Sequence, residues 1–375
     1  MTAHTRRHFI AATTLASLAP TLLAGRANAT PATDLDAGRS AANRPVRLNY
    51  NESPYGPSSA ALAAMKKGAE GSGRYEYEEQ LKLIDLFARQ NQVPNDHVKA
   101  YCGSRQPLQF ALAAAASQGS LVLAAPTYDS VAAGARSLGV KVHEVPLDAH
   151  HAHDVEAMLA ADTAPGLIYL CNPNNPTGTL TPQAAIRHLV EHKPAGCLAV
   201  IDEAYIHFSD APSCLELAVQ HEDVLVLRTF SKLYGMAGAR LGLAVGRPAL
   251  LARLEACNGH NYIPLPTALG GIASLQDTRL VAERKAVNAH VLNATLGRLR
   301  QAGFTCTQAQ ANCFMVQIGQ PVAQVIDALA QQGVLVGRPF PAWPTWLRVS
   351  VGTAEQMQRF VNTLLSLFPH APSLV

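Results

Sequence analysis

Charge is scarce in this sequence. Only 15% of its 375 residues are Asp, Glu, Lys or Arg, and the formal net charge is +3. So small an excess excludes a nucleic-acid binder that works by neutralising phosphates. Aromatic residues are also few, at 6%, but hydrophobic residues reach 48%, which excludes a disordered chain. The 26 Gly and 24 Pro follow no repeat, so collagen-like and low-complexity classes are excluded too. No two of the seven cysteines form a CxxC pair, and their number is odd. They read as small buried hydrophobes rather than a disulfide framework. There is no Walker loop and no GxGxxG after a strand. No apolar run is long enough for a comfortable membrane span. The one tract of metal-ligand type, His150-His151-Ala152-His153, has no matching Cys or His elsewhere. It reads as a solvated loop, and no metal is expected.

At about 150 residues per domain, the length suggests two domains with ample core. The first 29 residues stand apart. They hold Arg6, Arg7 and Arg26 and no acidic residue, so the whole charge excess lies there and the remaining body is neutral. A mildly apolar stretch from Phe9 to Ala24 follows the arginine pair and ends in Ala27-Asn28-Ala29, a small-x-small cleavage pattern. This order reads as a signal peptide, and the paired arginines in Thr5-Arg6-Arg7-His8-Phe9-Ile10 point to twin-arginine export and a periplasmic product. Residues 30–45 lack periodicity and read as a linker.

From about residue 98 to 246 the texture alternates. Strand-like runs occur at 98–102, 121–125, 140–146, 166–171, 198–202, 224–229 and 241–246. Helix-like runs lie between several of them, at 106–117, 130–138, 155–160 and 181–191. Leu167-Ile168-Tyr169-Leu170 and Leu198-Ala199-Val200-Ile201 are apolar on both faces, as in a mostly parallel sheet covered by helices on each side. The fold class is α/β. After Pro264 the pattern becomes that of a smaller α+β unit, with helices over 278–300, 322–332 and 354–367 and strands at 314–317, 334–337 and 347–351. No element is read between 57 and 97 or between 247 and 277.

Four segments close strand-like runs, where open α/β sheets bind their ligands. They are Gly103-Ser104-Arg105, Asn172-Pro173-Asn174-Asn175-Pro176-Thr177-Gly178, Asp202-Glu203-Ala204-Tyr205 and Thr229-Phe230-Ser231-Lys232; Gly238-Ala239-Arg240 lies just beyond. A carboxylate ending an apolar strand, as Asp202 does, needs a partner. Desolvation in such a place turns a lysine such as Lys232 into a nucleophile. Arg240 offers anion donors beside Ser231.

Together, in this order and spacing, these motifs resemble the fold-type I aminotransferases that use pyridoxal 5'-phosphate, in particular their histidinol-phosphate aminotransferase-like branch. The resemblance runs from Leu48-Asn49-Tyr50-Asn51-Glu52-Ser53-Pro54-Tyr55-Gly56 to Leu347-Arg348-Val349-Ser350-Val351-Gly352. It implies a large cofactor-binding domain over 57–264, with a seven-stranded sheet, and a small domain formed by 46–56 and 265–375. It implies that Lys232 forms the Schiff base and shuttles protons, that Asp202 pairs with the pyridine nitrogen, and that Asn175 and Tyr205 bond the ring's phenolic oxygen. Tyr128 would stack on the ring. The phosphate would sit at the helix start after Gly103, helped by Ser104, Arg105, Ser231, Arg240 and more weakly Thr229. Tyr75 would reach the other subunit's cofactor in a homodimer, although Glu76 replaces the proline that often follows.

Arg348 matches the family's anion-binding arginine, with Arg338 and Asn51 as further substrate contacts. The implied activity is ping-pong transfer of an amino group from an anionic donor, an amino acid or a phosphorylated amine, to a 2-oxo acid. Decarboxylation, racemisation or elimination on the same fold, or a non-catalytic exported binder, stay open at this point. Nucleic acid and stable membrane insertion are not expected.

Overall fold

In the computed structural model, residues 45–256 and 262–368 are described; the leader, nearly all of the linker, and Cys257 lie outside the described residues. Eleven strands occur among the described residues. They are β1 (Val46–Leu48), β2 (Val98–Tyr101), β3 (Ser120–Ala125), β4 (Val142–Pro146), β5 (Pro165–Cys171), β6 (Leu198–Asp202), β7 (Val224–Thr229), β8 (Gly242–Val245), β9 (Cys313–Gln317), β10 (Val334–Val336) and β11 (Trp346–Ser350).

Seven of them form one sheet in the order β2-β8-β7-β6-β5-β3-β4. All neighbours are parallel except β8, which runs antiparallel to both β7 and β2. The pleat divides the side chains between two buried layers. Ile168, Leu170, Ala199, Ile201, Val224 and Val226 enter one apolar cluster. Leu167, Tyr169, Leu198, Val200, Leu225 and Leu227 enter the other. That two-sided burial is why β5, β6 and β7 read as unbroken apolar runs.

A third apolar cluster joins Val46 and Leu48 to residues between 291 and 364. There β1 pairs in parallel with β10, and β11 pairs antiparallel with β9. The last helix, Ala354–Leu367, opens on a reciprocal cap: Thr353 accepts from the Gln356 backbone, and the Gln356 side chain accepts from the Thr353 N–H.

The described residues contain helices where the sequence reading places no element, among them Ser59–Glu70, Tyr77–Asn91, Pro248–Glu255 and Leu265–Gln276. Small residues explain the close crossing of the first and last of these. A Cβ on Gly68 would lie 2.8 Å from the Pro266 Cα. Ala268 and Leu275 of the Leu265–Gln276 helix join the same cluster as the central strands.

Two other expectations are corrected. His153 is buried, with Nε2 3.0 Å from the Cys171 carbonyl oxygen, so the histidine tract is not a solvated loop. Burial pulls its pKa down to about 4. Cysteines 171, 197, 214 and 313 are buried free thiols as expected, but Cys102 is exposed. Among the described residues no helix is long and apolar enough to cross a membrane, and no cluster of metal-ligating residues occurs.

Candidate active site

Strand ends of the large sheet and segments flanking the third cluster meet around Lys232. Its Nζ donates to the Tyr50 carbonyl oxygen at 3.1 Å and lies 5.5 Å from the centre of the Tyr205 ring. The chain reaches this point through Gly235, at φ +70°, where a Cβ would stand 1.9 Å from the Gly56 carbonyl oxygen. Only glycine allows segment 50–56 to lie this close over the Lys232 loop. Burial pushes the Lys232 amine down to about 8, and the Arg348 guanidinium adds to that; Cys313, Glu52 and Asp202 act in the opposite direction.

Asp202 ends β6 and is 5% exposed. Its Oδ2 accepts from the Tyr169 hydroxyl at 2.9 Å and its Oδ1 from the Ala204 N–H at 3.0 Å. Burial nevertheless raises its pKa to about 6, against those two donors and the attraction of Lys232. A carboxylate so placed favours a cationic partner. Tyr169 is a functional residue that sequence reading missed. Its signal was a lone phenol in an all-apolar strand, which needs a hydrogen-bond partner when buried. Next to Asp202, Glu203 forms a buried ion pair with Arg228, Oε2 to Nε at 2.8 Å, and accepts from the Cys214 N–H. This pair fastens the strand ends beneath the site.

Asn51, Asn175, Tyr205 and Arg348 form one network. The Asn51 Nδ2 donates to the Tyr205 hydroxyl oxygen at 3.1 Å and to Asn175 Oδ1 at 3.4 Å. Arg348 Nη1 donates to the same Asn175 Oδ1 at 3.1 Å, and Nη2 donates to the Asn49 carbonyl oxygen. Arg348 is 7% exposed and its Nε has no partner. Arg348 and Arg338 lie over the same Phe340 ring, with Cζ 5.6 Å and 4.3 Å from its centre. Arg338 also forms an ion pair with Asp129, so it is not a free solvated arginine. Nearby, His151 packs edge-on to Trp343 and Trp346, with centroids 4.8 Å and 5.4 Å away.

The expected phosphate residues occupy the other side. Gly103, at φ +85°, precedes the eleven-residue helix Arg105–Ala115; a Cβ on it would meet Arg240 Nη2 at 2.1 Å. That cradle, with Ser104 at the helix start, offers backbone donors and a dipole to an anion. Arg240 Nη1 lies 3.4 Å from Ser231 Oγ, and the Ser231 N–H donates to Thr229 Oγ1 at 3.1 Å. Arg105 is exposed on the first turn, and Tyr128 packs partly buried against the Tyr169 layer. Tyr75 stands in a different cluster, 5.8 Å from the Tyr262 ring and 90% exposed.

A desolvated lysine, a buried acid, two convergent polar side chains and a glycine cradle at a helix start fit a phosphorylated pyridine aldehyde. The fold and this donor set define a vitamin B6-type enzyme of the large α/β class. Residues 43–364 match the aminotransferase class I and II family, and the chain belongs to it. It is 35% identical, over 85% of its length and 89% of the relative's, to a histidinol-phosphate aminotransferase of Symbiobacterium thermophilum. It is 31% identical, over 85% and 92%, to an aromatic amino acid aminotransferase of Corynebacterium glutamicum. Among solved structures, the pyridoxal-5'-phosphate complex of histidinol-phosphate aminotransferase from Sinorhizobium meliloti matches with a TM-score of 0.79 and 25% identity, over 86% of this chain and 92% of that one. The protein is a fold-type I, pyridoxal-phosphate-dependent aminotransferase acting on an amino donor and a keto acid.

Proposed function

We propose that the chain moves an amino group from an anionic donor to a 2-oxo acid in two half-reactions, with Lys232 as the residue that anchors the cofactor and carries the proton. One observation carries this reading: the Lys232 amine, held by the Tyr50 carbonyl oxygen at 3.1 Å, stands 5.5 Å from the centre of the Tyr205 ring, whose hydroxyl belongs to the network of Asn51, Asn175 and Arg348. When bound, pyridoxal phosphate supplies a carbonyl carbon that accepts the amino group and a ring that holds the electron pair released at the donor carbon.

Asp202 would pair with the ring nitrogen, and Tyr169 and the Ala204 N–H hold that carboxylate in place. Asn175 and Tyr205 would donate to the ring oxygen, and Tyr128 would pack against the ring. Gly103, Ser104 and the first turn at Arg105, with Thr229, Ser231 and Arg240, would hold the phosphate. The Lys232 amine would take the proton from the donor's α-carbon and return it; an amine whose pKa is brought down to about 8 exchanges a proton readily in both directions near neutral pH. Arg348 holds the carboxylate or phosphate of the donor, and Arg338 borders the far end. The relatives' names cover a phosphorylated amine and aromatic amino acids; each presents an anion that a guanidinium can grip.

Tyr75, almost fully exposed in an aromatic cluster with Tyr77 and Tyr262, supports a two-fold dimer in which it reaches the partner's cofactor phosphate. The domain division at residue 264 and twin-arginine export with cleavage after Ala29 belong to the same proposal. Borohydride reduction of the loaded enzyme, followed by peptide mass spectrometry, tests the anchor. The adduct is expected on Lys232, and an adduct on another lysine refutes the assignment.

A further inference from the structure

We propose that Asn51 is a positioning residue that fixes Tyr205 and Asn175 as hydrogen-bond donors toward the cofactor's ring oxygen. The inference rests on the function proposed above and adds how this chain sets the polarity of that contact.

The argument follows the protons outward from the backbone. The Asn51 N–H can only donate, and it donates to Ser350 Oγ at 2.8 Å. The Ser350 hydroxyl then has its own proton to give, and Asn51 Oδ1 lies 2.9 Å away to receive it. The amide of Asn51 is thereby oriented: its oxygen faces Ser350 and its Nδ2 faces the site. From there Nδ2 donates to the Tyr205 hydroxyl oxygen and to Asn175 Oδ1. A phenol that already accepts from an amide points its own proton elsewhere. Asn175 Oδ1, which also accepts from Arg348 Nη1, leaves its own Nδ2 to donate. Both side chains are thus set as donors before any ligand arrives.

The holder is itself held. Asn51 sits at φ +53°, a left-handed conformation that asparagine tolerates better than most residues. Its carbonyl oxygen accepts from Asn312 Nδ2 at 3.0 Å. Residues 51, 312 and 350 come from three distant parts of the chain, so this is a built arrangement rather than a local turn. Burial raises the Tyr205 pKa well above its ordinary value, so its proton stays available, while the Asn51 donor pulls weakly the other way.

Donors that satisfy the ring oxygen make it a poorer acceptor for the proton shared with the Lys232 nitrogen, so that proton leaves at lower pH. Weakening those donors raises the midpoint. The charged or titratable groups facing this region are Arg348, Asp202, Glu52, Cys313 and Cys171, besides Lys232 itself. The substitutions below leave all of them unchanged.

The test is a pH titration of the visible absorbance band of the loaded enzyme, with cofactor stoichiometry and Tm measured beside it. Asn51→Asp keeps the shape and tolerates the backbone angle, but it turns a donor into an acceptor that draws the Tyr205 proton away. The midpoint should rise by about one pH unit, about tenfold in proton affinity. A new negative charge alone would also raise it, so the same change is made in a Tyr205→Phe background. There the shift should fall to half or less, because the hydroxyl is gone and only the charge and the Asn175 branch remain. Ser350→Ala, which unlocks the Asn51 amide from behind without adding charge, should move the midpoint the same way by a few-fold, and it replaces Asn51→Asp if that variant fails to fold. An unmoved midpoint in Ser350→Ala and Asn51→Asp, or an Asn51→Asp shift of equal size with and without the Tyr205 hydroxyl, overturns the proposal. A wild-type protein with no band attached to Lys232 would instead overturn the functional reading beneath it.

Discussion

The depressed pKa of Lys232 makes a quantitative claim about how the enzyme takes up its cofactor. Burial lowers this amine from its ordinary 10.5 to about 8. At pH 7 a group titrating at 8 is neutral about one time in ten, and one titrating at 10.5 about one time in three thousand. The site therefore multiplies the reactive amine about 300-fold at neutral pH. Cofactor-free protein mixed with pyridoxal phosphate in a stopped-flow instrument should show a loading rate that climbs about tenfold per pH unit and levels near pH 8. Because the Arg348 guanidinium contributes to the depression, Arg348→Gln should move that plateau to higher pH and slow loading at pH 7. Folding stability gives an independent check with a defined sign. The unfolded lysine keeps its proton to about 10.5 and the folded one gives it up near 8, so the cofactor-free protein gains stability from this group as pH rises through that window, and the penalty is fully present below it. Lys232→Met should therefore raise Tm at pH 7, with an advantage that shrinks toward pH 10. A wild-type loading rate that still climbs steeply above pH 9.5 would refute the reasoning.

Arg348→Ala should lower kcat/KM for the amino donor by roughly 30- to several-thousand-fold, as expected for truncating one member of a desolvated charge pair, and Lys should be a poor replacement. Cofactor affinity should stay nearly unchanged; a variant that loses cofactor yet keeps its donor preference would show that Arg348 is structural. Tyr169→Phe removes a donor from Asp202, so the Asp202 pKa should rise further and cofactor affinity should fall by roughly 3- to 10-fold; equal Kd values in a spectroscopic titration would count against that support. Replacing Arg6 and Arg7 by Lys should trap the uncleaved precursor inside the cell, and normal export of that variant would show that the leader works differently.

The central sheet was legible because its strands are buried on both faces. Strands β6 and β7 match the ranges read from the sequence, and β5 matches to within a residue. Helix Ser59–Glu70 was not legible. Its contact face includes Ala61 and Gly68, small residues that let another helix approach but carry no hydrophobic period. The site was legible at the strand ends, where Asp202 closes β6 and Lys232 lies just beyond β7. It was not legible where the chemistry is a relation between distant residues. Asn51 and Ser350 are 299 positions apart, and no spacing rule connects them. The Arg338–Asp129 pair was hidden for the same reason.

The two tryptophans have a practical consequence. The whole chain contains only Trp343 and Trp346, and their rings lie 5.0 Å apart, both against His151. They occupy the short stretch between Phe340, which carries Arg338 and Arg348 over its ring, and Arg348 itself. All of the protein's indole emission therefore comes from one patch, on the rim beside Arg338 and Arg348. Ultraviolet fluorescence is a built-in optical gauge of that rim, and a ligand that rearranges it can be followed without attaching a dye.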